Sequence, residues 1–127
     1  MGDNRNHDEP AVLALVADLI FAARIRGTAP PGVDVRTASR AQPLREEAEG
    51  ARPRLVLVDL GAGDDPVGFI GWVRAQASLK GVPVVAFGSH VDVERMDAAR
   101  AAGADRVLAR SAFVGMLPAL LGGRSLE

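Results

Sequence analysis

Asp59 closes the run Arg54-Leu55-Val56-Leu57-Val58-Asp59, which puts an acid at the end of a segment too apolar to face water. If that segment is a strand of an open parallel sheet, its carboxyl end lies where such sheets place ligands and chemistry. Asp18 follows a second apolar run, Ala11 to Ala17, and two carboxylates brought together there could hold a hard cation such as Mg²⁺. Polar groups follow two further runs, as Gly88-Ser89-His90 and Arg110-Ser111. Ser89 and His90 do not suggest a hydrolase: adjacent residues point in different directions, and no Gly-x-Ser-x-Gly elbow occurs. The glycines of Gly61-Ala62-Gly63-Asp64 lack a following Lys-Ser/Thr, so a flexible turn is expected there rather than a phosphate cradle. Plainer roles compete for each acid. Asp18 could cap a helix, and Asp59 could receive loop N–H groups or Arg110; both are preferred to catalysis. His7 has no partner nearby in sequence, and Trp72 reads as packing rather than a cofactor stack.

Positioning these residues requires alternating strands and helices. Short apolar runs separated by longer amphipathic stretches are the pattern of strand-helix units on a parallel sheet. Strands are expected over Ala11 to Ala17, Val33 to Ala38, Leu55 to Asp59, Val82 to Phe87 and Asp105 to Ala109. The second alternates apolar and polar residues and reads as an edge strand, whereas the third suits the middle of a sheet. Helices are expected from about Leu19 to Thr28, from about Pro43, from Asp65-Pro66, from Asp92 to about Ala102, and from Ser111 to Leu121 with a kink near Pro118. Right-handed crossovers and short connections then give a flavodoxin-like three-layer α/β/α sandwich with a five-stranded parallel sheet in the order 2-1-3-4-5. In that order the first and third strands are neighbours, which brings Asp18 towards Asp59.

Composition narrows the partners. Fifteen basic and sixteen acidic residues are interspersed, for a net charge of −1, so no footprint for nucleic acid or an anionic membrane is present. There is no cysteine, hence no disulfide framework or thiolate site. No apolar stretch approaches the roughly 20 residues of a membrane span, and a cytoplasmic protein is expected. One domain is expected over residues 11–122, with a disordered tail at 1–10 and a second tail at 123–127 that has the look of a vector-derived scar.

From about Val12 to Leu121 the chain resembles the receiver domain of two-component response regulators. The resemblance is carried by Leu55-Val56-Leu57-Val58-Asp59-Leu60 and by Ala101-Ala102-Gly103-Ala104-Asp105-Arg106-Val107-Leu108. It implies that Asp59 is the phosphoacceptor and that Asp18, Asp59 and Gly61 are the candidate Mg²⁺ site. It also shows departures. The family's acidic pair falls on Ala17-Asp18, its Thr or Ser hydroxyl on Gly88 with Ser89 one residue late, and its lysine on Arg110. Lys80, the one lysine of the chain, lies in the loop entering the fourth strand and cannot substitute. A guanidinium fork does not reproduce an ammonium point charge, and phosphoryl transfer depends on positioning and charge neutralisation.

The expected function is therefore a stand-alone, degenerate receiver that acts through a protein partner, a histidine kinase or another signalling protein, with weak or absent phosphorylation and either no cofactor or weakly held Mg²⁺. It is not expected to be an enzyme beyond, at most, a phosphoacceptor that dephosphorylates itself. Met96, Phe113 and Met116 are expected to be mostly core, on the helix 4/strand 5/helix 5 face through which receivers commonly dimerise. The alternatives are a working response regulator phosphorylated on Asp59 and, third, a small-ligand binder at the switch point between strands 1 and 3.

Overall fold

The computed structural model describes residues 11–123. The tail expected at 1–10, with His7, and residues 124–127 of the other tail lie outside them. Five strands, β1 (Ala11–Leu15), β2 (Asp34–Ala38), β3 (Pro53–Asp59), β4 (Val84–Gly88) and β5 (Arg106–Ala109), alternate with five helices. The helices are α1 (Leu19–Thr28), α2 (Ala41–Ala51), α3 (Pro66–Ala75), α4 (Val93–Ala102) and α5 (Arg110–Leu121), and a 3-10 turn at Ala77–Leu79 precedes β4. All strand pairs are parallel, in the order β2-β1-β3-β4-β5, so the expected flavodoxin-type α/β sandwich is the observed one.

Side chains of successive strand residues point to opposite faces, and each face has its own core. Leu13, Leu15, Val56 and Val58 join Leu44, Phe69, Ile70, Val73 and Met96 beneath α2, α3 and α4. Val12, Ala14, Leu55 and Leu57 join Phe21, Ile25, Phe113 and Leu117 beneath α1 and α5. Burying each such Leu, Ile or Phe contributes about 1.5–3 kcal/mol, which is why a run apolar at every position sits mid-sheet. The partly exposed β2 lies at the edge, as its alternation implies.

Three helices start where a local acid caps them: Asp18 for α1, Asp65 for α3 and Asp92 for α4. The fourth start departs from expectation. α2 begins at Ala41 rather than Pro43, because Asp64, from the loop after β3, accepts its first N–H at 2.6 Å. α5 continues through Pro118 to Leu121, and the Gly122 N–H bonds to the Pro118 carbonyl at 2.9 Å.

The end of the sheet remote from Asp59 is fastened by arginines. Arg54 at the start of β3 donates to the carbonyl of Leu120 at 3.2 Å, which also accepts the Gly123 N–H, and to that of Leu121, one of the carbonyls that a helix C-terminus leaves free. Burial lowers the pKa of Arg54. Arg74 of α3 donates to the Gly103 carbonyl at 2.8 Å and to Asp105, whose carboxylate also accepts the Val84 N–H at 2.7 Å. Gly103 ends α4 at φ +115°, and a Cβ there would stand 2.5 Å from Arg74 Cγ. Among the described residues no helix is long and apolar enough to cross a membrane.

Candidate functional site

Asp59 is the last residue of β3, opposite Phe87 of β4, and at 3% exposure it is the one buried charged residue among those described. Its Oδ1 accepts the Gly61 N–H at 2.8 Å, while its backbone carbonyl accepts the Ala62 N–H at 3.0 Å, so the chain turns tightly around the acid. Among the described residues the nearest cation to Oδ2 is Arg110 Nη2, at 3.8 Å. That is beyond hydrogen-bond reach.

An aromatic bed explains the gap. Arg110 opens α5 with its guanidinium carbon 4.4 Å from the ring centre of Phe21 and 5.8 Å from that of Phe87. Phe87 in turn stacks on Phe113 at 4.0 Å. A cation over such rings gains about 0.5–2 kcal/mol, at least as much as a half-exposed ion pair offers. The rings therefore set where the guanidinium lies, and Asp59 receives only a loose contact.

Asp18 is exposed and caps α1, its Oδ1 accepting from Ile20 N at 2.8 Å and Phe21 N at 3.2 Å. The same cap fixes the helix that brings Phe21 under Arg110. β1 and β3 are paired, Leu15 opposite Val58, so Asp18 leaves the sheet three residues past that pair, on the Asp59 side. Among the described residues, no three His, Cys, Asp or Glu side chains gather closely enough to hold a metal ion.

At the family's hydroxyl position Gly88 ends β4, fully buried. Leu60 packs over it: a Cβ on Gly88 would meet Leu60 Cβ at 3.2 Å. Ser89, one residue on, is exposed, and among the described residues its Oγ accepts only the Val91 N–H, at 3.4 Å. The space over Gly88 is taken by the buried Leu60 side chain.

The loop after Asp59 is held rather than flexible. Its two glycines suggested mobility, but Leu60 and Ala62 are buried, Arg95 Nη1 donates to the Leu60 carbonyl at 2.7 Å, Asp64 binds the start of α2, and Asp65 accepts the Gly68 N–H at 3.0 Å. A crevice of about 220 Å³ remains between this loop and α4, lined by Leu60, Gly61, Gly88, Ser89, Arg95 and Met96 among others. A wider one of about 570 Å³ opens beside Ser89, His90, Arg110, Ser111 and Val114.

Other residues took the plainer of their two roles. Trp72 stacks on Phe69 at 6.1 Å, and the Arg45 guanidinium carbon lies 5.6 Å from the Trp72 ring centre. Phe113 and Met96 are buried and Met116 partly so. Sequence reasoning missed Phe21 and Phe87 as the bed of Arg110, Leu60 as the filler over Gly88, and Arg95 as a tie to the loop. Only Phe21 carried a signal, since an acid three residues before it marked the helix start.

The sequence matches no protein-family model and no curated protein. Solved structures are similar in fold. The chemotaxis response regulator CheY4 of Vibrio cholerae has a TM-score of 0.77 at 21% identity, covering 91% of this chain and 98% of that one. The signal receiver domain of the DNA-binding response regulator merR from Colwellia psychrerythraea gives 0.75 at 15% identity, over 91% and 97%. The phosphorylated cyanobacterial phytochrome response regulator RcpA gives 0.73 at 17% identity, over 91% and 90%. The fold is that of response-regulator receiver domains.

Proposed function

We propose that the chain is a receiver-like signalling module that works through protein–protein contact and is phosphorylated on Asp59 weakly or not at all. The observation that carries this reading is the state of the Asp59 pocket: the arginine stands on Phe21 3.8 Å from the carboxylate, and Leu60 fills the space over Gly88. A phosphoryl group needs charge neutralised and oxygens oriented, and neither group is placed to do so. Mg²⁺, where it binds, would be held by Asp18, Asp59 and the Gly61 carbonyl and would neutralise phosphate oxygens. Asp18 Oδ1 already serves the helix cap, and Ala17 offers no second acid, so the ion would be held weakly. Leu19, Ile20, Val91 and Val93 are exposed at the starts of α1 and α4, the same end as Asp59, which favours a protein partner such as a histidine kinase there. A homodimer through the α4/β5/α5 face is the other contact in this reading.

One observation favours a working phosphoacceptor: Asp59 Oδ2 makes no hydrogen bond among the described residues. Titration of the full chain with beryllofluoride and Mg²⁺, followed by amide chemical shifts, separates the two. Weak or absent binding is expected. Saturation below about 1 mM that vanishes in Asp59→Asn would sink the degenerate reading and install its rival.

A further inference from the structure

Leu60 and Gly61 share one peptide group, and that group is bonded on both sides. Its N–H, on Gly61, donates to Asp59 Oδ1 at 2.8 Å, and its carbonyl, on Leu60, accepts Arg95 Nη1 at 2.7 Å. A peptide unit is planar and stiff, with N–H and C=O pointing to opposite sides, so the N–H cannot turn away from Asp59 without carrying the carbonyl away from Arg95. Arg95 belongs to the first turn of α4, where its backbone N–H donates to Asp92 Oδ1 at 3.3 Å and its Nε lies 3.4 Å from Asp92 Oδ2. One rigid plane and two hydrogen bonds thus join a buried carboxylate to the start of a helix.

We propose that Arg95 is a positioning residue for Asp59, and that the Leu60–Gly61 peptide is the lever by which a change at the carboxylate reaches the first turn of α4. Chained hydrogen bonds polarise one another, so a guanidinium on the carbonyl strengthens the N–H as a donor to the acid. Loss of charge or of the acceptor at Asp59 weakens the opposite bond in turn. The 220 Å³ crevice lined by Leu60, Gly61, Arg95 and Met96 gives the peptide room to rotate, while Leu60 packed over Gly88 resists it. The exposed Val91 and Val93 adjoin the turn that would move. The signalling reading gives this movement its use; the coupling is a property of the resting chain.

The test uses the full chain without metal or phosphoryl analogue, followed by amide hydrogen exchange and by the Nε–H resonance of Arg95. Arg95→Met keeps the aliphatic stem and removes the donor, and Gly61 amide exchange should rise several-fold to about tenfold, as for one lost hydrogen bond. Arg95→Lys should restore part of the protection. Asp59→Ala should shift the Arg95 Nε–H and the amides of Glu94 to Met96, with Asp59→Asn, which keeps an acceptor oxygen, giving a smaller shift in the same direction. Arg100→Met, an exposed arginine of the same helix paired with Asp97, should leave Gly61 unchanged. The proposal is overturned if Gly61 exchange stays within about twofold in Arg95→Met. It is also overturned if Arg100→Met matches the effect of Arg95→Met, or if Asp59→Ala leaves Arg95 in place. Beryllofluoride binding does not enter, so a chain that binds none can still show the coupling, and a failed coupling leaves the partner reading intact.

Discussion

Replacing Asp59 with asparagine should make the protein more stable, by an amount that follows from its surroundings. Holding an ion at 3% exposure costs on the order of several kcal/mol. Against that stand the Gly61 N–H, a charge-assisted bond of about 1.5–3 kcal/mol, and Arg110, a 3.8 Å contact to a side chain 45% exposed that contributes about 0.2–1 kcal/mol. On the order of 1 kcal/mol is left uncompensated. Asparagine is nearly isosteric, sheds the charge and keeps an oxygen for Gly61. Urea unfolding at fixed pH 7 should show a higher midpoint with an unchanged slope, and Tm should rise by about 4 °C. Arg110→Gln and the double variant complete a cycle whose coupling should fall below about 1 kcal/mol. If Asp59→Asn instead destabilises by about 1 kcal/mol or more, or the coupling exceeds about 2 kcal/mol, the two residues form a true ion pair and the loose-contact account of the pocket is refuted.

Arg54→Met should cost about 1–3 kcal/mol in urea midpoint and speed amide exchange in the last turn of α5, because the Leu121 carbonyl loses its donor and that of Leu120 keeps only the Gly123 N–H. Gly103→Ala combines a left-handed φ with a 2.5 Å clash on Arg74, so a loss above about 1 kcal/mol is expected, relieved in part by Arg74→Ala. Gly88→Ser places a hydroxyl where the family has one, yet its Cβ meets Leu60 at 3.2 Å. Alone it should destabilise by about 1 kcal/mol without raising beryllofluoride affinity, while Leu60→Gly in the same chain, which removes the Cβ that is met, should raise that affinity if space is the obstacle.

Features specified by adjacent residues were legible in the sequence. Asp18, Asp65 and Asp92 fixed three helix starts because a cap acts over two or three positions. The run Leu55 to Val58, apolar at every position, placed itself mid-sheet because burial on both faces favours an unbroken apolar run. What was misread depends on distant partners. α2 starts early because the acceptor of its first N–H is Asp64, 23 residues away, and the loop after Asp59 is fixed by Arg95, 35 residues from Leu60. The substitution at Arg110 could be read, but its resting place on Phe21 required the packing of α1 against α5.

The clamp of Arg54 on the final carbonyls of α5 also decides how the molecule can be handled. α5 starts beside Asp59 and ends at the opposite pole, separated from it by the seven residues of β3, about 23 Å at strand spacing. A dye, a biotin or a sensor-chip linkage attached after Gly123 would therefore hang from a firmly seated helix end and leave the Asp59 face turned towards solution. Partners sought on an immobilised chain would meet the side that carries Leu19, Ile20, Val91 and Val93.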